Sequence, residues 1–381
     1  MALRTVDLVA LGPPPHDPYE PSATAWALAG AFAARGDSVR VLHPEGPAGA
    51  PAPAGIESVA VPLRLRRPGA AVDSAEFAGA AGRRVRRDAQ LVVRDPLGVG
   101  ALHPPGGRAG PPIVAFVRSV ELVEFDREHS ASGSSGFAAR LDRWRDRRSL
   151  RRLEHEALSE ADVLFTDRPD LARTATGEYA IPERRWRASV PPVPDLRRPD
   201  SRTAARTTLG IPPDVLAVAT PTPEAPGGAG VVDRAREAFR RVRPFFPGVR
   251  LIVAGATAPV EPGVVALPTR DGATFALGLT AANVALFPGG GPPFDPMVVE
   301  AMRAECAVAA APSVRLPIDP DGAVRYAASD DPGDVASTLA ELLADPALCR
   351  EAVARGARHA ASYAPEKVVA AIDAALPDRG R

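Results

Sequence analysis

VALFPGGGPPFDPMVVEAM (Val284–Met302) is the stretch whose reading decides the fold. Val284 to Pro288 reads as a buried strand, Gly289, Gly290 and Gly291 as the turn that leaves it, and Pro292–Met302 as the opening of a helix. A strand, a glycine turn and a fresh helix N-terminus together aim unpaired backbone N–H groups and the positive end of the helix dipole at one spot. That is where an α/β fold seats phosphate. The same letters carry a second reading, in which Asp295 is the N-cap and Pro296 the first helical residue, so that the helix caps itself with its own carboxylate.

Outward from this segment the pattern repeats. Leu216–Thr220, Arg250–Ala254, Asn283–Phe287 and Ala307–Ala310 read as strands, with helices through Phe239, from Asp295, over Asp334–Leu343 and over Ala347–Tyr363. The first half opens in the same way: a strand at Thr5–Gly12, a helix from Ser22 to Arg35 stopped by Gly36, and a strand at Ser38–Leu42. Further strands fall at Ser58–Val61, Gln90–Val93, Ile113–Val117 and Val163–Thr166, the last closing the first domain. Strands separated by helical stretches make a parallel sheet. The fold class is α/β, with two Rossmann-like, doubly wound domains facing across a cleft. Their limits are residues 1–192 and 199–363, joined through PPVPDLRR (Pro191–Arg198), and the last helix, within 364–381, packs back towards the first domain.

Composition bounds the function. The 46 basic and 46 acidic residues cancel, which leaves no global field for nucleic acid or an anionic membrane, so a charged partner must act locally. Lys367 is the only lysine; the excess of Arg reads as codon bias. Cys306 and Cys349 are too few for a disulfide framework, and no Cys/His spacing fits a metal, so neither metal nor cofactor is expected. Residues 1–11 do not show the charged, apolar and cleavage pattern of a leader and no apolar run approaches bilayer-spanning length, so the expected location is cytoplasmic, with at most a peripheral contact at the inner membrane face.

The order of motifs resembles the family-4 glycosyltransferases of the GT-B fold. WALAGAFAARGDSVRVL (Trp26–Leu42), LEHEALSEADVLFTDRPDLART (Leu153–Thr174), AFRRVRPFFPGVRLIVAG (Ala238–Gly255), Val284–Met302 and DPALCREAVARGARHAASYAPEKVVAAI (Asp345–Ile372) carry the resemblance in the family's order. It implies transfer of a sugar from a nucleotide-diphosphate sugar to an acceptor, with retention of configuration and without a metal. The donor-side residues it implies are Gly289, Gly290, Gly291, Phe294, Asp295 and Glu300, and the catalytic side would hold Arg118 and His16.

Departures fall on the same site. Of the family's two glutamates eight positions apart, Glu300 keeps the second and Pro292 replaces the first; Asp295 stands where the family prefers a close-approach glycine. The loop Pro221–Val232, where the family carries an Arg and a Lys against the diphosphate, has Glu224 as its one charge. Pro21 and Ser22 replace a glycine pair before the first helix, and Arg118 stands at the usual His. Arg118, Arg250 or Arg270 would have to supply the missing positive charge. Two readings stand: an active glycosyltransferase, or a degenerate relative that acts as a binding or partner subunit. A sugar-nucleotide epimerase would need acid/base carboxylates that the sequence does not present.

Each residue also has a plain structural reading. Glu300 serves either a donor ribose or the dipole of its own helix, and the glycines either phosphate or a tight turn. Arg118 is either an anion ligand or one half of an ion pair with Glu121. His16, beside Asp17, is either a general base or a solvated loop residue. Arg140, Arg143, Arg145, Arg147, Arg148, Arg151 and Arg152 either dock on an anionic lipid surface or acidic partner, or form a solvated face with Leu141 and Trp144 turned inward. HSASGSSG (His129–Gly136) reads as a surface loop and DPDG (Asp319–Gly322) as a turn.

Overall fold

The structure is a computed structural model. It describes residues 3–15, 20, 22–46, 49–63, 70–106, 110–123, 125–126, 137–221, 228–254, 261–267, 269, 271–290, 294–317 and 322–376, with 70–73, 137–143, 221 and 228–229 as backbone alone. His16, Pro21, Glu224, Arg270, Gly291, Pro292, the stretch 129–136 and residues 319–321 lie outside the described residues. Two compact units divide the chain, one running to Pro192 and resuming at Pro365, the other spanning Val193–Ala364.

Unit 1 holds β1 (Thr5–Ala10), α1 (Ala23–Ala34), β2 (Ser38–Pro44), β3 (Ile56–Val61), α2 (Ala70–Gly82), β4 (Leu91–Asp95), β5 (Ile113–Phe116), α3 (Phe137–Glu160), β6 (Val163–Thr166), α4 (Pro169–Tyr179) and β7 (Trp186–Ala188). Unit 2 holds α5 (Arg202–Leu209), β8 (Ala217–Pro221), α6 (Gly228–Val242), β9 (Arg250–Ala254), β10 (Val264–Leu267), α7 (Gly272–Ala281), β11 (Val284–Phe287), α8 (Pro296–Arg303), β12 (Ala307–Ala310), β13 (Val324–Tyr326), α9 (Pro332–Ala344) and α10 (Pro346–Ala360). The last helix, α11 (Pro365–Ala375), belongs to unit 1.

Every strand pairing is parallel. The orders are β3-β2-β1-β4-β5-β6-β7 and β10-β9-β8-β11-β12-β13. Interior strands covered on both faces cannot alternate, and accordingly β4, β5, β6, β11 and β12 are buried along their whole length. In each sheet the direction of winding reverses once, between β1 and β4 in unit 1 and between β8 and β11 in unit 2. Doubly wound sheets open a crevice beyond the carboxyl ends of the strands at that reversal. Asp95 ends β4 at that point of unit 1, and the glycine turn follows β11 at that point of unit 2.

Three expectations need correction. Val163–Thr166 does not close the first sheet, because Arg187 and its neighbours add β7 outside it, with Phe165 in register with Arg187. The short strands β10 and β13 were not expected, and both are sheet edges. Trp144 on α3 is 56% exposed, not turned inward, and the Arg148 guanidinium lies over its ring at 5.5 Å; the side chain of Leu141 lies outside the described residues.

Packing of α11 shows what holds unit 1 closed. Its Val368, Val369 and Ile372 are buried in one cluster with Trp26, Leu28 and Phe32 of α1 and with Val6 and Leu8 of β1. Beyond that stripe Asp373 accepts from Arg4 Nη1 at 2.7 Å and from Arg35. Removing buried branched carbons costs both transfer energy and a cavity. Ile372→Ala is therefore expected to lower unfolding free energy by about 2–4 kcal/mol, read as the denaturation midpoint followed by circular dichroism; a loss below about 1 kcal/mol would show that α11 is not docked in solution.

Candidate functional site

The turn after β11 needs its glycines. Gly289 and Gly290 take φ of +78° and +82°, the left-handed region that disfavours a side chain. At Gly289 an added Cβ would also sit 2.7 Å from Ser313 Oγ, so that residue is fixed by close approach as well. Gly290 is exposed, and its neighbour is Arg234 of α6: the guanidinium Nε lies 3.4 Å from where a Cβ on Gly290 would stand.

Helix α8 then starts on its own cap. Asp295, in extended conformation and only 6% exposed, accepts from Met297 N at 2.8 Å, with Pro296 behind it in the first turn. The carboxylate thus takes one of the donors that a helix N-terminus leaves open. Phe294 stacks on Tyr363, ring centroids 6.1 Å apart and 10° from parallel, so its ring is a packing contact within unit 2.

Glu300 is 1% exposed and engaged by the chain itself. One oxygen accepts from Leu196 N at 3.2 Å and pairs with Arg198 at 3.5 Å; the other accepts from Arg303 Nη1. Arg303 Nη1 also donates to the carbonyls of Val193 and Pro194, both at 3.1 Å. Burial pushes the Glu300 carboxyl above the ordinary glutamate value, against the pull of Arg303 and of Leu196 N. The carboxylate that the family resemblance assigns to a ribose therefore ties α8 to the segment 193–198.

Of the cations considered from sequence, Arg250 starts β9, at the end of the strand away from the glycine turn, and its Nη1 donates to Gly248 O. Arg270 lies outside the described residues. Arg234 was missed. It stands in the second turn of α6, the helix that follows the loop after β8, half-buried, with Nη1 donating to Asp330 O at 3.2 Å. A basic residue early in that helix was the available signal; without the helix register its direction could not be read.

In unit 1, Arg118 does not pair with Glu121. Its Nε donates to Asp95 Oδ1 at 3.1 Å and its Nη2 to both Asp95 oxygens at 2.9 and 3.0 Å, while the guanidinium lies over Phe116 at 5.5 Å. Asp95 ends a central strand with no exposure, and a buried carboxylate there demands a bidentate partner; Glu121 instead accepts from Ser119 Oγ. Burial pushes the carboxyls of Asp95 and Asp167 above the usual aspartate value, with Arg118 pulling both down. Arg118 thus serves two acids and carries no surplus positive charge. Sequence reasoning passed over Asp95 and Asp167. Among the described residues no group of three or more His, Cys, Asp or Glu could hold a metal ion, and no helix is long and apolar enough to cross a membrane.

Both ion pairs make stability predictions. Removing one partner of a buried pair strands the other charge, which costs about 3–5 kcal/mol. Arg118→Ala and Glu300→Ala should each lower the unfolding free energy by that order, measured by denaturant titration before any ligand is added; a variant that keeps wild-type stability would show that its pair is not formed in solution.

No known family model matches the chain. Over 233 residues it is 30% identical to the D-inositol 3-phosphate glycosyltransferase of Mycobacterium avium (strain 104), an alignment covering 55% of this chain and 53% of that protein. The same enzyme of Mycolicibacterium paratuberculosis aligns at 30%, over 55% and 51%. The chain spans about half the length of the curated relatives it matches. Among solved structures it resembles WaaG, a glycosyltransferase involved in lipopolysaccharide biosynthesis, with a TM-score of 0.67 at 18% identity over 96% of this chain and 99% of that one. Sucrose-phosphate synthase of Thermosynechococcus elongatus follows at 0.65 and 16%, over 97% and 98%. Anabaena HepE, solved with UDP and glucose, gives 0.65 and 12%, over 98% and 100%. The fold of this chain is that of the GT-B glycosyltransferases, and its sequence resembles their family-4 type.

Proposed function

We propose that the chain is a glycosyltransferase that moves a sugar from a nucleotide-diphosphate donor to an acceptor, with retention of configuration and without a metal or other cofactor. The observation that carries the reading is the end of β11: a strand, two glycines at positive φ and a helix N-terminus at the reversal point of a parallel sheet, with a guanidinium beside them. The curated relatives are named as glycosyltransferases, and HepE was solved with UDP-glucose as well as with UDP, which supports a nucleotide-sugar as the donor.

A second reading has its own observations. Asp295 fills the helix N-terminus and Glu300 is committed to Arg303 and Arg198, as expected of a relative that has lost transfer and binds a partner. Thermal melting with a panel of nucleoside diphosphates and nucleotide-sugars separates the two. A ligand at 100 times its Kd adds about 2.7 kcal/mol, a visible rise in melting temperature. Stabilisation by one diphosphate base series supports the transferase; no rise with any compound at millimolar concentration removes it and leaves the partner subunit.

A partner surface is proposed on α3, where Trp144 is exposed and Arg148 lies over it, with Arg145 alongside, while Arg147 is paired with Asp126. An aromatic set among arginines suits an anionic lipid surface. The protein should then sediment with phosphatidylglycerol vesicles and not with phosphatidylcholine vesicles, and Trp144→Ala should reduce the bound fraction; equal sedimentation with both lipids would remove the proposal.

A further inference from the structure

We infer that Arg234, together with the turn at Gly289 and Gly290, is the diphosphate seat of unit 2, and that it supplies the positive charge missing from the loop after β8. The inference rests on the nucleotide-sugar reading above and names the residue that would make it work.

Three observations converge. First, Arg234 stands at the right end of the sheet: its Nε, Cδ and Cζ lie 3.4, 3.6 and 3.9 Å from the Cβ position of exposed Gly290. Second, its charge is uncommitted. Among the described residues its one hydrogen bond is from Nη1 to a backbone carbonyl, Asp330 O, and it makes no ion pair with a carboxylate, whereas Arg236, Arg240 and Arg241 on the same helix all face one. That bond holds the side chain across the turn and leaves Nε and Nη2 as donors. Third, Gly290 is exposed and takes positive φ, so its backbone carries no side chain where a ligand oxygen would approach, while buried Gly289 holds the turn against Ser313.

The carboxylate of Asp330 limits the seat on one side. Its Oδ1 accepts from Ser313 N at 3.1 Å, and its Oδ2 stands 3.4 Å from the Cβ position of buried Gly289. An anion would therefore sit on the Gly290 side, facing the guanidinium. A planar fork of N–H donors matches phosphate oxygens in geometry as well as charge. In transfer the bond from the anomeric carbon to the β-phosphate oxygen breaks with its electron pair staying on that oxygen, a bond forms from the acceptor oxygen to the anomeric carbon, and the acceptor's proton passes to the departing phosphate; Arg234 would hold the charge that the diphosphate gains.

The test compares wild type, Arg234→Ala and Arg234→Lys by isothermal titration with inorganic pyrophosphate, a nucleoside diphosphate from the stabilising series, and the matching nucleoside. Expected results are a loss of about tenfold or more in diphosphate affinity for Arg234→Ala, a smaller loss for Arg234→Lys, and nucleoside affinity unchanged. Melting of the ligand-free variants controls for folding, and Arg234→Lys serves if Arg234→Ala melts early. If wild type binds the nucleoside diphosphate and Arg234→Ala binds it equally well, the seat is overturned while the transferase reading stands. If pyrophosphate binds in an Arg234-dependent way but no nucleotide binds, the seat stands and the transferase reading falls. If wild type binds neither, the seat is overturned.

Discussion

The contact on which unit 2 depends is the buried set made by Glu300 and Arg303. Both side chains rise from α8 one turn apart and reach residues 193–198, Glu300 through Leu196 N and Arg198, and Arg303 through two carbonyls. Val193 N in turn donates to Tyr363 O, and the Tyr363 ring carries Phe294. A buried ion pair is poor as a source of net stability, because desolvation consumes most of the attraction; burial indeed pushes the Glu300 carboxyl up despite its two arginines. What the pair provides is direction. It fixes the rotation of α8, and with it the position of Asp295 at the helix start and of the turn that precedes it.

That rotation sets up a competition at the end of β11. A helix N-terminus offers a few donors, and each can serve either an internal carboxylate or a ligand anion. Asp295 takes one of them. At about 4 Å and an effective dielectric near 20, a like charge opposes a phosphate by about 4 kcal/mol, and a cation at the same distance offsets it by a similar amount. In the proposed seat Arg234 would make that offset, approaching from α6 and not from the loop after β8. Sign and position of the charge matter here more than which element carries it.

How much of this was legible follows from burial. The interior strands β4, β5, β6, β11 and β12 are apolar runs because both faces are covered, and such runs can be read directly. The strands that escaped notice, β7, β10 and β13, are all sheet edges. WRA and VRY carry a charge in mid-strand, and VVAL is half-exposed, since an edge needs a partner on only one side. Helix α7 escaped for the opposite reason: six of its residues are buried, so it shows no polar face and no period. At the sites, self-capping by Asp295 was readable from the Asp-Pro pair. The partners of Arg118 and Arg234 were not, because each meets its neighbour across 23 to 96 residues of chain.

The two anchored arginines make opposite cases. Arg118 carries three bonds to a fully buried aspartate, with a second acid nearby, and is electrostatically spent. Arg234 is held by a neutral carbonyl, which positions a guanidinium without cancelling its charge. Among the described residues Arg234 faces no carboxylate within ion-pair distance, so its charge is available to an anion in a way that the charge of Arg118 is not. In the proposed seat the departures from the family-4 pattern and the charge at Gly290 belong to one arrangement, in which a helix, not the loop after β8, would carry the cation beside the glycine turn.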